Sequence, residues 1–344
     1  MRPDLGSRGR IHDGGQTRPR KCGEGVVAKG TLLYFASDLH GSSRCFRKFV
    51  NATQVYKPTV LVLGGDVAGK AIQSIVRGPN GLWRCTFVGR HYELSEGSEL
   101  AELERLVADY GYYPYRAEPG ELEAMQAEGT LDGLFLRLMR ERLAEWLDIA
   151  DTRLRPKGVP LYLMLGNDDP PELADMLDRA PWGVHAEGKV VQLDDQHEMI
   201  SWGYANTTPW HTRREQNEQQ LAAVYAAMAD KLEHPERAVF NLHPPPHATQ
   251  LDQAPALDDD FRVRMVLGQV QYKAVGSKAV REIEFERQPL VGLHGHIHES
   301  SGIRRLGKRR GVILNPGSDY SAGALNGALV RLSKDRAEAQ LVRG

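Results

Sequence analysis

The chain has 344 residues, 44 of them Lys or Arg and 45 Asp or Glu, so its formal net charge is −1 with neutral His. That balance supplies no global field for nucleic acid or an anionic membrane. Three cysteines without a CxxC exclude a disulfide scaffold and a thiolate zinc site, and no apolar run approaches the roughly 18 residues of a membrane span. Apolar residues at 41% and charged ones at 26% describe an ordinary globular chain of one large or two smaller domains, expected in a reducing, cytoplasmic setting.

Residues 1–30 are rich in Gly, Arg and Lys and read as a disordered tail without the apolar centre of a signal peptide. Residues 31–36 form an apolar run of β-formers that predicts a buried strand, ending in Ser37-Asp38-Leu39-His40-Gly41. Phe46, Phe49, Val50 and Thr53 then recur at helical spacing over 42–56, and Lys57-Pro58 stops the helix. A second strand, 59–63, ends in Gly64-Gly65-Asp66. This is a β-α-β unit, and open α/β sheets bind ligands at the carboxyl ends of their strands.

The stretch from 70 to about 157 reads as a helical insertion. It has a strand at 82–88 and a helical pattern over 96–147, broken at Gly111-Tyr112-Tyr113-Pro114-Tyr115. Residues 91–156 hold 15 acidic and 7 basic side chains. The alternation resumes with strand 160–165 and Gly166-Asn167-Asp168-Asp169, followed by helix 171–179, strands near 189–193 and 198–203, and helix 214–232. Strand 238–242 ends at His243. Helix 277–286 leads to strand 290–293, which ends in His294-Gly295-His296-Ile297-His298. Strand 311–314 ends in Asn315-Pro316-Gly317-Ser318, and strands 326–332 and 337–342 follow.

One event recurs at five strand ends: an apolar run stops and a metal-type side chain follows. The residues are Asp38 and His40, Asp66, Asn167, His243, and His296 with His298. Each piece alone reads equally as turn chemistry, in which Gly allows positive φ and Asp or Asn caps the backbone. As an ordered set on one sheet edge, two Asp, one Asn and four His suit two divalent transition metals with mixed oxygen and nitrogen ligation.

DLH, GGD, GND, a strand-terminal His before prolines, GHIH and NPGS together resemble the signature blocks of the calcineurin-like metallophosphoesterase superfamily, in its order, over roughly 31–342. The resemblance implies an α/β fold, a four-layer α/β/β/α sandwich of two mixed sheets, in a domain 31–344 interrupted by the 70–157 insertion. It implies that Asp38, His40 and His298 bind one metal, that Asp66 bridges, and that Asn167, His243 and His296 bind the second. The ions are two of Mn, Fe, Zn or Mg, with manganese the first to test. A metal-bound hydroxide then attacks phosphorus in line. The His ligands must be neutral, so activity is expected to fall at acid pH.

The family motif usually has His after GN, where this chain has Asp168, followed by Asp169, and both are candidate catalytic residues. Asp168 reads as a general acid with a raised pKa or as a solvated loop carboxylate. Arg44 and Arg47, on the helix after His40, are candidates for holding phosphate or form an exposed basic face. His294 and His247 read as a core and a surface residue, Asn315 and Ser318 as structural, and Trp210 as a stacking or packing residue. Tyr110, Tyr112, Tyr113 and Tyr115 line a lid or pack a flank. The acidic insertion disfavours a polyanion laid across it, although Arg304, Arg305, Lys308, Arg309 and Arg310 form a basic cluster that reads as an exposed hairpin turn. The expected substrate is a small phosphate ester, a diester before a monoester, with no membrane partner and an open oligomeric state. The alternatives are a nuclease of the same chemistry and a non-catalytic metal-binding module.

Overall fold

The computed structural model describes residues 30–309 and 311–344. The tail expected over 1–30 lies outside the described residues except for Gly30, and so do Cys22 and Arg310.

In the first strand, β1 (Leu32–Ala36), Leu33 and Phe35 enter one core while Tyr34 and Ala36 enter another. Side chains alternate along a strand, so a run that is apolar at every position can face two cores at once. Helix α1 (Ser43–Val55) begins where the Ser42 hydroxyl accepts from the Cys45 amide at 3.3 Å. Its Phe46, Phe49 and Val50 are buried, each burial stabilising by roughly 1.5–3 kcal/mol. Strand β2 (Val60–Gly64) then pairs parallel to β1.

The next stretch is more than helical. Strands β3 (Ile72–Arg77), β4 (Trp83–Phe87) and β5 (Arg90–Leu94), helix α2 (Ser98–Asp109) and strand β6 (Tyr113–Ala117) form a separate sheet, ordered β5-β4-β3-β6, with its own small core under α2. The Gly-Tyr-Tyr-Pro-Tyr break is the start of β6. It lies at the sheet edge, where a proline costs no ladder bond. Helix α3 (Glu121–Glu128) follows, then α4 (Leu131–Leu154). Although α4 falls within the expected insertion, it packs on the principal sheet: Trp146 stacks on Phe46 with ring centroids 4.4 Å apart. The added layer therefore ends before α4, which is the crossover helix between β2 and the next principal strand.

That strand is β7 (Leu161–Met164), followed by α5 (Ala174–Asp178), β8 (Val184–His185), β9 (Val190–Gln192) and β10 (Glu198–Trp202). The short pair β11 (Ala205–Asn206) and β12 (Glu215–Gln216) precedes α6 (Glu218–Ala229), capped by Asn217, and β13 (Val239–Leu242). A long loop carries β14 (Gln253–Pro255), β15 (Met265–Val266), β16 (Gln269–Val270) and β17 (Tyr272–Ala274) before α7 (Lys278–Arg287). The chain continues through β18 (Val291–Leu293), β19 (Gly302–Leu306), β20 (Gly311–Asn315), β21 (Asn326–Ser333) and β22 (Arg336–Arg343). Arg304 and Arg305 stand on β19, paired antiparallel to β20, so only Lys308 and Arg309 of the described basic residues sit in the expected turn.

Two six-stranded sheets result, ordered β22-β21-β1-β2-β7-β8 and β19-β20-β18-β13-β10-β9. Each has a parallel centre; the first is antiparallel only at its β22-β21 flank, with β8 parallel at the other edge, and the second is antiparallel at both edges. Phe35 and Val62 of the first sheet meet Val239, Leu293 and Leu314 of the second in the core between them. Helices α1, α4 and α5 cover the outer face of the first sheet, and α6 and α7 that of the second. This is the expected four-layer α/β/β/α sandwich. No described helix is long and apolar enough to cross a membrane.

Candidate metal centre

The parallel strands β1, β2, β7, β13 and β18 end on one edge, and their following loops carry the seven expected ligands to one place. Three sets of ligating side chains fall within 4.8 Å: Asp38, His40 and His298; Asp66, His243 and His296; and His40, Asp66 and Asp168. Asp66 Oδ2 lies 3.6 Å from His40 Nε2 and 3.5 Å from His243 Nε2, between the first two sets. Asn167 Oδ1 is 3.1 Å from His243 Nε2, and Asp38 Oδ1 is 3.4 Å from His298 Nε2.

The backbone is bent to make this convergence. Asp38, His40, Asp66 and His296 all have positive φ, at 57°, 41°, 49° and 65°. Non-glycine residues hold such angles only where the surroundings impose them, at about 1–3 kcal/mol each. Cross-loop bonds impose them here: His40 N donates to the Asp66 carbonyl at 2.9 Å, and Asp38 N to that of Gly65 at 3.0 Å. The His296 amide donates to both Asp38 oxygens at 3.0 and 3.1 Å. Gly166 and Gly295 have no room for a Cβ, which would strike the side chains of Asp66 and Asp38 respectively.

Outer partners orient the ligands. The Gly64 carbonyl, which can only accept, takes a 2.8 Å bond from His243 Nδ1 and so turns Nε2 inward. The Asn167 amide nitrogen donates to Asp168 Oδ1 at 2.9 Å and Thr212 Oγ1 at 3.0 Å, which turns its oxygen toward the centre. Asn315 ties the carbonyls of Gly295 and Ile297 at 3.2 and 2.9 Å, and the Ser318 hydroxyl donates to that of Asp38 at 2.7 Å; both have the structural role expected.

The chemistry of this donor set fits divalent cations. His40 Nε2 and His298 Nε2 face each other at 3.0 Å, and His40 Nδ1 is buried without a partner. Burial pulls His40 down to about 3 and His296 to about 4, so both are neutral ligands at pH 7. Burial opposes charge on His243 too, but Asp66 and Asp38 hold it up to about 9. Asp66 sits well below the usual carboxylate range: burial disfavours its charge, and His243 and His40 outweigh it. Two buried carboxylates among four imidazoles are the environment that a pair of cations neutralises.

The acidic pair after Asn167 divides. Asp169 is fully buried and accepts from the amides of Val67 (3.0 Å), Ala68 (2.7 Å) and Gly166 (2.8 Å). It pins the Asp66 and Asn167 loops together and has no exposed surface. Asp168 faces the mouth with its side chain one-fifth exposed and pairs with Lys70 Nζ at 2.6 Å. It is neither free in solvent nor isolated, and burial with the nearby Asp66 raises its pKa. Lys70 was not legible in the sequence, since a lone lysine four residues past Asp66 belongs to no motif.

Several other expectations resolve. Arg44 and Arg47 both pair with Asp109 of α2, so that carboxylate takes up the proposed phosphate grips. Tyr113 is buried and its hydroxyl accepts from the Gly69 amide at 2.9 Å, while Tyr110 and Tyr112 meet Phe87 edge-on at 5.5 Å. The added sheet is thereby hooked beneath the Asp66 loop. Tyr320, from the loop after β20, packs its ring 4.7 Å from His40. His294 is buried, its Nε2 3.2 Å from Glu284. His247 is partly exposed near Asp252, and exposed Trp210 stacks on Phe261 at 5.3 Å.

No family model matches the chain, and no curated protein matches it. One crystal structure aligns over 90% of this chain and 98% of its own, at 14% identity and a TM-score of 0.51. TT1561 of Thermus thermophilus covers the same shares at 14% identity and 0.45, and a dimetal phosphatase from Danio rerio covers them at 11% and 0.41. The first likeness shows a shared fold over nearly the whole chain. The four-layer architecture described above is the one that the motif resemblance implies.

Proposed function

We propose that this chain is a two-metal phosphoesterase that hydrolyses a small phosphate ester, a diester before a monoester. The observation that carries the reading is the position of Asp66, one carboxylate within 3.6 Å of His40 and 3.5 Å of His243, between two sets of ligating side chains. Asp38, His40 and His298 with Asp66 would hold the first ion, and Asp66, Asn167, His243 and His296 the second. Two such ions would supply an activated water and offset charge on the phosphoryl oxygens.

The chain's own residues do the rest. Gly64 fixes the His243 tautomer, and Thr212 and Asp168 aim the Asn167 oxygen. Asp169 keeps the two central loops in register, and Asp168 with Lys70 presents charge at the mouth. The acidic flank favours a small anion over a nucleic acid. A cytoplasmic setting accords with the unpaired state of Cys45 and Cys85.

The test is hydrolysis of bis-p-nitrophenyl phosphate and p-nitrophenyl phosphate after chelation and Mn²⁺ re-addition, with Asp66→Asn as control. Metal-dependent diester turnover that Asp66→Asn removes supports the reading. Preference for the monoester overturns the substrate class. A chain that turns over neither ester and binds no metal overturns the enzyme reading in favour of a binding module.

A further inference from the structure

We propose that the Lys70–Asp168 ion pair sets the charge of the ester that the centre accepts, favouring a phosphate group with one negative charge over one with two. The inference rests on the phosphoesterase reading and deepens it. Asp168 is held at three points, two of them on its carboxylate. Its backbone amide donates to Asp66 Oδ1 at 3.0 Å, its Oδ1 accepts from the Asn167 amide at 2.9 Å, and its Oδ2 meets Lys70 at 2.6 Å. That same Oδ2 lies 4.0 Å from His40 Nδ1. The carboxylate therefore stands beside the cluster of candidate ligands, at its exposed side.

One cation balances it. Lys70 is half exposed, on a flexible stem. The neighbouring arginines are committed elsewhere: Arg44 and Arg47 to Asp109, and Arg214 to Glu187 and the Gly166 carbonyl. A phosphodiester brings one negative charge at pH 7, and a monoester brings between one and two, its second pKa being near 6. The additional charge faces a fixed carboxylate whose neutralisation depends on Lys70. Across a few ångströms at a partly desolvated rim, one such interaction changes preference by roughly 10-fold. Removing the carboxylate favours the dianion, and removing the ammonium disfavours it.

The experiment compares bis-p-nitrophenyl phosphate with p-nitrophenyl phosphate, which share a leaving group and differ in charge. The ratio of their kcat/KM values is measured for the metal-loaded chain and for Asp168→Asn, Lys70→Met and Lys70→Arg. Asp168→Asn is expected to move the ratio about 10-fold toward the monoester and Lys70→Met about 10-fold toward the diester, with Lys70→Arg near the parent. Calorimetric binding of inorganic phosphate against dimethyl phosphate reads the same selectivity without turnover, and it is expected to shift in the same directions. Both esters turned over, with ratios and binding selectivity within 2-fold of the parent in Asp168→Asn and Lys70→Met, overturns the inference alone. Failure of the parent chain to hydrolyse either ester overturns the phosphoesterase reading, and the binding arm still decides the charge preference. Lys70 is at the surface, so Lys70→Met keeps the test open if Asp168→Asn disturbs Asn167.

Discussion

Arg214 Nη1 donates a 2.9 Å hydrogen bond to the carbonyl of Gly166, the residue before the candidate ligand Asn167. The guanidinium is 3% exposed and its other arm pairs with Glu187, itself 9% exposed, which also accepts from the Gly203 amide. Removing one partner of a buried pair leaves the other uncompensated, at about 3 kcal/mol or more. Arg214→Met is expected to lower the chain's stability by that amount in urea titration. The double change Arg214→Met with Glu187→Leu should recover part of it, because no buried carboxylate is then left unpaired.

The same cluster gives the pH dependence of stability. His185, between Asp178 and Glu187, has a raised pKa: burial lowers it, and the carboxylates of Glu187 and Asp178 outweigh that. A raised value makes the protonated ring stabilising below its ordinary 6.5, a contribution lost as pH climbs through the higher folded value. Glu187 is lowered, burial notwithstanding, by His185 and Arg214, so its contribution holds above 4.5 and fades as pH falls below it. Thermal melts from pH 5 to 9 are expected to show a smaller alkaline decline for His185→Gln than for the parent chain.

Gly166→Ala tests how tightly the centre is built. A Cβ there collides with the Asp66 side chain and backbone amide. Outer contacts of this kind typically change metal affinity 10–100-fold. A loss of at least about 10-fold is expected by metal titration, with far-UV circular dichroism close to that of the parent.

Metal removal should cost stability as well as activity. Ions that bind the folded chain alone stabilise it by about 2.7 kcal/mol at 100 times their dissociation constant. For a chain of this length that amounts to a rise of a few degrees in Tm, since each kcal/mol moves Tm by roughly 1–2 °C. Mn²⁺ is expected to raise Tm for the parent and to leave Asp66→Asn nearly unmoved, by scanning calorimetry.

The principal layers were legible because their strands are apolar on both faces and each ends at a polar signal; Leu33 with Phe35 and Tyr34 with Ala36 serve separate cores. The ligand set was legible because parallel strands deliver their ends to one edge. What escaped was tertiary. The β3–β6 pairing joins Ile72 to Tyr113 across 40 intervening residues, and Pro114 disguised β6 as a break. Asp109 is 65 residues from Arg44 in sequence, so no local pattern announces that it takes up the guanidinium. The helical reading of α4 was sound, but no periodicity states which sheet a helix covers.

The positive φ angles at Asp38, His40, Asp66 and His296 bear on any attempt to move this centre to another scaffold. Copying the seven side chains onto loops of ordinary conformation would send four of them in the wrong directions. A transplant has to carry the left-handed corners and the glycines at 166 and 295 that leave room for them. The unit a designer would graft is thus a set of backbone bends, and the ligand residues are only its labels.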